Sequence, residues 1–400
     1  MKNKKILFIA PESFPINGPE CIVNIKLIKL LSENGYIIDL ISKKHNFSKY
    51  PVKENLSDLG ININSNKIIT VDNKLSFSTI LDHFFTYLKF GVVFKGAHWA
   101  LKALKFSEEM IKSNKYDLIL TKSAPSFLVG FYLKKKYDIK WFATWNDPYP
   151  GEKYPEPYGK GINAKLPWFS SNILKKMNFA DIHIFPSLRL KNHMSKYLKI
   201  NDNSFEIIPH ISIKEDNVRH IKNEKLKIVC SGNLKKPRNP ENFILALSKL
   251  IKEYRNISVD IIGVYEDSLN DMILENKLSD FVNLLPPISY KQSLEVLEQY
   301  DVALIIEADC EEGIFLPTKV GDYMQYEKVI FSISPQKGVL NDLYNDAYIQ
   351  YFSTNNIDDI YSELKKLYID FSSNSIPIVQ FNKEYSEENI LKLYNRIIND

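Results

Sequence analysis

Residues 231–239, with the sequence SGNLKKPRN, combine the features of a phosphate-binding turn. Gly232 would let the backbone approach a ligand closely, and Lys236 or Arg238 would supply a positive charge. The segment follows an apolar run and precedes a helical pattern, so amides at the start of that helix would add hydrogen-bond donors. This set of residues suits a diphosphate, and its basic character in an acidic half of the chain argues against a merely solvated cluster.

Residues 311–323, EEGIFLPTKVGDY, form a second candidate segment. Pro317 suits the first turn of a helix, so the amides around Thr318 would be directed at an anion. Lys319 adds a cation, and Asp322 lies about one helical turn further along. Because a carboxylate only accepts hydrogen bonds and hydroxyls donate them, Asp322 beside a phosphate site predicts contact with a sugar or a ribose.

Two turns of the first half also contain residues that could contact a ligand. Gly18, in PINGP, follows the first apolar run, although a plain turn glycine explains it equally well and no Gly-x-Gly-x-x-Gly fingerprint is present. Asp147, in WNDPY, follows another apolar run, where a carboxylate would point from the end of a strand. An Asp before a Pro is also a common turn initiator. The Tyr-, Pro- and Gly-rich residues 150–167 could form a flap that binds an acceptor.

Apolar runs alternate with amphipathic segments along the chain, which is the pattern of parallel sheets covered by helices. The predicted strands are residues 5–10, 36–41, 117–120, 141–144, 182–185 and 206–208 in the first half, and 226–231, 258–263, 282–284, 302–306 and 329–333 in the second. Residues 76–114 are predicted to be helical with breaks near Gly91 and Gly96, and most of their aromatic side chains are expected in the core.

These elements predict an α/β protein of two Rossmann-like domains that face each other across a cleft. The first domain is residues 1–213, and a polar linker follows at 214–225. The second domain is residues 226–380, and a final helix at 381–400 could cross back to the first domain. In such sheets ligands bind at the carboxyl ends of the strands, which is where the candidate turns lie.

Composition narrows the class of protein. The 400 residues are 44% hydrophobic and 25% charged, which excludes a disordered chain. Three scattered cysteines do not form a disulfide framework, the seven histidines show no metal-ligand spacing, and the first apolar run is too short for a signal peptide. These features predict a cytoplasmic protein without a metal. The net charge of +4 divides into +15 for residues 1–200 and −11 for residues 201–400, which indicates different partners for the two domains.

The same segments carry a resemblance to a known family. The IIPH turn at 207–210, the SGNLKKPRN loop and the EEGIFLPTKVGDYMQYEKVIF segment at 311–331 resemble retaining glycosyltransferases of the two-Rossmann-domain (GT-B) fold, in family 4. The resemblance covers nearly the whole chain. It implies that Arg238 or Lys236, together with Lys319 and the amides at 316–318, binds the diphosphate of the donor.

Further residue roles are implied by the same resemblance. Glu312 takes the position of a glutamate near the donor sugar, Asp322 that of a residue on the ribose, and Asp147 falls near a catalytic-site histidine of many relatives. Two departures stand out: Asp322 lies ten residues after Glu312 where the family spacing is eight, and Asn146-Asp147 replaces the usual His-Thr or His-Asp.

The expected activity is transfer of a sugar from a nucleotide-diphosphate sugar, with uridine the commoner base, to an acceptor hydroxyl in polysaccharide or glycan synthesis. Two alternatives are a nucleotide-sugar 2-epimerase of the same fold and a non-catalytic sugar-binding or scaffold relative. No cofactor is expected. No nucleic acid is expected as a partner either, because the lysines of the basic half follow no motif. That half predicts at most a peripheral, salt-sensitive contact with an anionic membrane, where a lipid-linked acceptor would lie.

Overall fold

The structure, a computed structural model, describes residues 3–14, 18–44, 61, 63–71, 77–92, 97–159, 167–213, 218, 221 and 223–400. The chain divides into two compact units. The first unit contains Met1–Tyr154, Gly161–Ile211 and Glu387–Asp400, and the second contains Pro155–Lys160 and Ser212–Ser386. Most of the predicted linker lies outside the described residues.

The first unit is a parallel sheet covered by helices. Its strands are β1 (Lys5–Ile9), β2 (Ile37–Lys43), β3 (Ser65–Ile69), β4 (Leu118–Lys122), β5 (Lys140–Thr144), β6 (Ile182–Phe185) and β7 (Phe205–Ile207). Its helices begin with α1 (Pro19–Glu33), α2 (Phe77–Phe90), α3 (Ala97–Ser113), α4 (Ala124–Tyr137), α5 (Pro167–Met177) and α6 (Leu188–Met194). The strand order is β3-β2-β1-β4-β5-β6-β7, so the order reverses between β1 and β4.

The second unit repeats this arrangement. Its strands are β8 (Leu226–Leu234), β9 (Ile257–Tyr265), β10 (Val282–Leu285), β11 (Val302–Ile306), β12 (Val329–Ile333) and β13 (Tyr351–Ser353). Its helices are α7 (Glu241–Leu250), α8 (Ser268–Glu275), α9 (Tyr290–Glu295), α10 (Lys319–Gln325), α11 (Val339–Asn345) and α12 (Ile357–Ser372). The parallel order β10-β9-β8-β11-β12-β13 reverses between β8 and β11, which is the doubly wound arrangement.

Apolar side chains on both faces of these strands explain why they read as continuous hydrophobic runs. β11 is buried at every residue, and one core cluster packs its Val302 and Leu304 with Phe243 and Leu247 of α7. The last helix, α13 (Glu387–Asn399), packs in the first unit and buries Ile390 there.

Several details differ from the sequence-based expectations. The sequence patterns predict no element at 65–69 or between 334 and 385, yet the structure has β3, α11, β13 and α12 there. β3 was missed because its residues are mostly exposed and polar, and β13 has only three residues. The expectation that most aromatic residues of the 76–114 region are core fails for α2, whose Phe84 and Phe85 are 54% and 52% exposed.

Candidate active site

Arg238 lies near the point where the strand order of the second unit reverses. It follows β8, and Glu307 follows the adjacent strand β11. Arg238 Nε donates to Glu307 Oε1 over 3.1 Å. Glu307 is 8% exposed, so the carboxylate that holds the guanidinium is itself fixed in the unit. The basic turn predicted from sequence therefore lies where parallel α/β sheets bind their ligands.

Lys319 is the second cation of this cluster. Its Nζ donates to the carbonyl oxygen of Ser231 over 2.6 Å, which brings the first residue of α10 to the end of β8. Burial lowers the pKa of Lys319 and the nearby Arg238 guanidinium lowers it further, while Glu307 and Asp322 raise it. The two cations predicted from separate segments are thus electrostatically coupled neighbours.

Gly232 is needed where Lys319 approaches the backbone. Its φ is +114°, and a Cβ built there would lie 3.1 Å from Lys319 Nζ. Its strand partner Gly263, at φ +136°, is more restricted still, because a Cβ would lie 2.1 Å from the Gly232 carbonyl oxygen. Gly232 was predicted to lie in a loop, but it belongs to β8, which runs three residues beyond the predicted end because it stays in register with β9.

The choice between Lys236 and Arg238 is informed by their surroundings. Lys236 is exposed, and its backbone amide contacts Glu266 over 3.3 Å. Arg238 is half-buried beside Glu307, and its positive charge lowers the pKa of Lys319. Of the two cations, Arg238 is the one that the fold holds in the cluster.

The other predicted residues of the second unit occupy separate positions. Asp322, on α10, accepts a hydrogen bond from the Tyr290 hydroxyl over 2.7 Å. Thr318 precedes α10 without capping it through its side chain. Glu312 pairs with Lys337 over 3.2 Å, at a loop where Gly313 bonds to the Lys337 carbonyl.

Tyr158 is a member of this cluster that the sequence did not single out. Its hydroxyl donates to Glu307 Oε2 over 2.7 Å, and its ring centroid lies 5.8 Å from the Arg238 guanidinium carbon. Sequence reasoning missed Glu307 as well, although a carboxylate directly after a buried strand was a usable signal. No comparable signal pointed to Tyr158.

In the first unit, Asp147 is exposed and accepts a hydrogen bond from the Tyr154 hydroxyl. Burial raises the pKa of Tyr154, and the Asp147 carboxylate raises it further. Gly18 precedes α1 with an extended backbone, and a Cβ there would meet no atom within 4 Å. The backbone at this turn therefore does not itself require a glycine.

Three further polar residues gather where the strand order of the first unit reverses. Asn146 Nδ2 donates to Glu20 Oε2 over 2.5 Å, and Glu20 is electrostatically coupled to Lys122, the last residue of β4. Burial raises the pKa of Glu20 and lowers that of Lys122 to about 8. Sequence reasoning missed Glu20 and Lys122, because neither lies in a recognisable motif.

Two properties of the described residues bear on metal binding and on membrane insertion. No group of three or more His, Cys, Asp or Glu side chains there is arranged to hold a metal ion. In the same part of the chain, no helix has the length and apolar character needed to cross a bilayer.

Two family models match different parts of the chain. Residues 212–370 match the family model described as Glycosyl transferases group 1, and residues 82–211 match that of Glycosyltransferase Family 4. No curated protein sequence matches the chain significantly.

Solved structures share the fold at low sequence identity. A glycosyltransferase from Rickettsia africae ESF-5 is 15% identical with a TM-score of 0.67, over 100% of this chain and 98% of that one. Alr3699/HepE from Anabaena in complex with UDP is 13% identical with a TM-score of 0.64, over 99% of both chains. A UDP-N-acetylglucosamine 2-epimerase is 13% identical with a TM-score of 0.61, over 100% and 98%. With two family models covering most of the chain and the fold of both sheets agreeing, the protein belongs to the GT-B glycosyltransferases.

Proposed function

We propose that the protein transfers a sugar, with retention at the anomeric carbon, from a nucleotide-diphosphate sugar to an acceptor hydroxyl. The observation that carries the donor assignment is the cluster of Arg238 and Lys319 where the strand order of the second unit reverses. UDP is the first candidate nucleotide, since the Anabaena protein of the same fold was crystallised with UDP. The acceptor is proposed to be a growing polysaccharide or another glycan, free or lipid-linked.

The chemistry follows from the charge of the leaving group. When the sugar bond breaks, negative charge develops on the departing diphosphate, and fixed cations stabilise that charge most effectively in a site of low dielectric. Arg238 and Lys319 take this role, which is why we propose a donor site that needs neither a metal nor an organic cofactor. Gly232 lies against Lys319 Nζ, and Thr318 directly precedes Lys319, so both would contribute backbone to the same site.

We also propose a contact with the donor for each of the remaining predicted residues. Asp322 would accept hydrogen bonds from the ribose hydroxyls. In the structure one of its oxygens accepts a hydrogen bond from the Tyr290 hydroxyl. Glu312 and Asp147 would contact the donor sugar, and Gly18 would contribute backbone to the diphosphate. Asp147 is exposed in its own unit, so its carboxylate is accessible to a ligand.

Binding of nucleoside diphosphates tests the donor site directly. Titration calorimetry with UDP, GDP, ADP and dTDP identifies the base, and Arg238→Ala and Lys319→Ala should each weaken that binding about 10- to 100-fold, as expected for a lost charged hydrogen bond. Lys236→Ala is the matched control, because Lys236 is an exposed cation two residues from Arg238. A larger loss for Lys236→Ala than for Arg238→Ala would reverse the assignment of the two residues.

The same variants also test the catalytic activity. The wild-type protein should slowly release nucleoside diphosphate from its nucleotide sugar without an acceptor, and the Arg238→Ala variant should not. A 2-epimerase is the second candidate, since one shares the fold over nearly its whole length. That candidate would require conversion of a UDP-2-acetamido sugar into its C2 epimer without an acceptor, which product chromatography detects.

We also propose that the first unit contacts an anionic membrane through α2. Six large apolar side chains of this one helix are exposed between 39% and 62%, namely Ile80, Leu81, Phe84, Phe85, Tyr87 and Leu88. Residues 1–200 carry a net charge of +15, which complements anionic lipid headgroups. An apolar helix face within a basic region is the combination that peripheral membrane proteins use.

Vesicle sedimentation tests the membrane contact. The wild-type protein should bind vesicles of phosphatidylglycerol and phosphatidylcholine at low salt, and it should bind less at high salt and to phosphatidylcholine alone. Replacement of Phe84, Phe85 and Leu88 by Ser should abolish binding. Leu274→Ser is the matched control, because Leu274 is 57% exposed on α8 of the acidic second unit. Equal binding of the wild type and the triple variant would refute the role of α2.

A further inference from the structure

The segment that carries Tyr158 changes unit within the chain. Tyr154 belongs to the first unit, Pro155–Lys160 to the second, and Gly161 to the first again. In this segment the Tyr158 ring packs edge-on against Phe315, with centroids 4.8 Å apart and an angle of 63° between the rings.

The phenol of Tyr158 makes the polar contact of this segment. It donates to Glu307 Oε2 over 2.7 Å, across 149 residues of sequence. Burial raises the pKa of Tyr158, and the Glu307 carboxylate raises it further, so the hydroxyl keeps its proton at neutral pH and remains a donor.

Glu307 is therefore held through both oxygens. Oε2 accepts from Tyr158 and Oε1 accepts from Arg238 Nε over 3.1 Å. A carboxylate held at both oxygens cannot rotate about its last bond without losing one partner, so its bond to Arg238 Nε restrains the guanidinium in turn. The Tyr158 ring also lies against that guanidinium, with 5.8 Å between the ring centroid and Cζ.

An arginine that binds a diphosphate must present its guanidinium in one orientation, because the hydrogen bonds from a planar fork are directional. We propose that Tyr158 and Glu307 are positioning residues of the donor site, which orient Arg238 towards the diphosphate. This inference rests on the proposed function, because it assumes that Arg238 contacts the donor diphosphate. Tyr158 lies in residues 150–167, which the sequence indicated only as a flap that could bind an acceptor, and Glu307 belongs to no motif identified there.

The test separates an effect on the diphosphate from an effect on the fold. Calorimetry gives the dissociation constants of whichever nucleoside diphosphate binds among UDP, GDP, ADP and dTDP, and of the matching monophosphate. Their ratio measures what the second phosphate contributes. Tyr158→Phe removes only the hydroxyl, and it should reduce this ratio about three- to tenfold, less than Arg238→Ala does, because the arginine keeps its own bond to Glu307.

Tyr351→Phe is the matched control in the same unit. The Tyr351 hydroxyl also donates to a carboxylate, that of Asp370, over 2.7 Å, and Tyr351 is fully buried on β13. Its removal deletes the same kind of bond elsewhere in the unit and should leave the ratio at the wild-type value. The double variant Tyr158→Phe/Arg238→Ala should match Arg238→Ala alone, because the hydroxyl acts through the arginine.

The outcomes are distinguishable. If no nucleoside diphosphate binds the wild type, or if Arg238→Ala leaves the ratio unchanged, the proposed donor site fails and this inference fails with it. If Arg238→Ala lowers the ratio but Tyr158→Phe does not, or if Tyr158→Phe weakens diphosphate and monophosphate equally, the positioning role alone is refuted. Additive losses in the double variant would also refute it.

Discussion

Acid should destabilise the first unit through one buried histidine. His183, on β6, is 1% exposed, and its Nδ1 accepts a hydrogen bond from Trp145 Nε1 over 3.0 Å. Burial lowers the pKa of His183 to about 4. In the unfolded chain a histidine titrates near 6.5, so between pH 6.5 and 4 the unfolded state binds more protons and stability falls as the pH falls.

The size of the effect follows from these two pKa values. At pH 5 the linkage costs about 2 kcal/mol, and below pH 4 it approaches about 3 kcal/mol. Protonation of His183 also bears on the predicted site residue Asp147, because Trp145 directly precedes the Asn146–Asp147 segment at the end of β5. Protonation of His183 would remove the acceptor of the Trp145 indole.

Tryptophan fluorescence is a selective assay for this unit, because Trp99, Trp141, Trp145 and Trp168 all lie in its sequence ranges. Urea unfolding at pH 7.5 and pH 5.0 gives the loss of stability for the wild type and for His183→Gln. The glutamine offers an acceptor oxygen but does not titrate, so its acid loss should be smaller by about 2 kcal/mol. The same acid loss in both proteins would show that His183 is not the group responsible.

Two further predictions concern elements that hold the sites in place. Gly263→Ala should destabilise the second unit by about 2–4 kcal/mol and weaken nucleoside diphosphate binding, since the new methyl group would strike the Gly232 carbonyl at a positive φ. Gly18→Ala, where nothing lies within 4 Å, should stay within about 0.5 kcal/mol of wild type, and equal thermal stabilities of the two variants would contradict the argument. Deletion of residues 387–400 should destabilise the first unit by about 5 kcal/mol or more, because α13 buries Ile390 and Tyr394 among other apolar side chains. An unchanged fluorescence transition of the truncated protein would contradict that estimate.

Much of the architecture was predictable because parallel strands are buried on both faces. β1 and β11 appear in the sequence as uninterrupted apolar runs, and the basic turn and Lys319 stand out as charges directly after such runs. β3 gave no such signal, since it is a polar and largely exposed edge strand. The strand-end extension of β8 was also hidden, because Gly232 normally indicates a turn.

The parts of the site that escaped prediction are those set by long-range contacts. The bond from Tyr158 to Glu307 spans 149 residues, and nothing local to Tyr158 distinguishes it from the other tyrosines of its loop. Lys236 and Arg238 were indistinguishable in sequence, because both are cations of one turn. Only the position of Glu307 at the end of the neighbouring strand separates them.

Each unit places a cation and a carboxylate where its strand order reverses, but the two pairs differ in burial. In the second unit, Arg238 is half-buried, and its positive charge is accessible to a ligand at modest cost. In the first unit, Lys122 is 3% exposed, and burial lowers its pKa to about 8, so its charged form is disfavoured there. Buried opposite charges are weak evidence for stability, since apolar residues of similar size often serve a core better. The Glu20 carboxylate of the first pair instead accepts from Asn146, directly beside Asp147. This bond ties Glu20 to the turn that carries Asp147, as the bond from Arg238 to Glu307 ties the two residues together in the second unit.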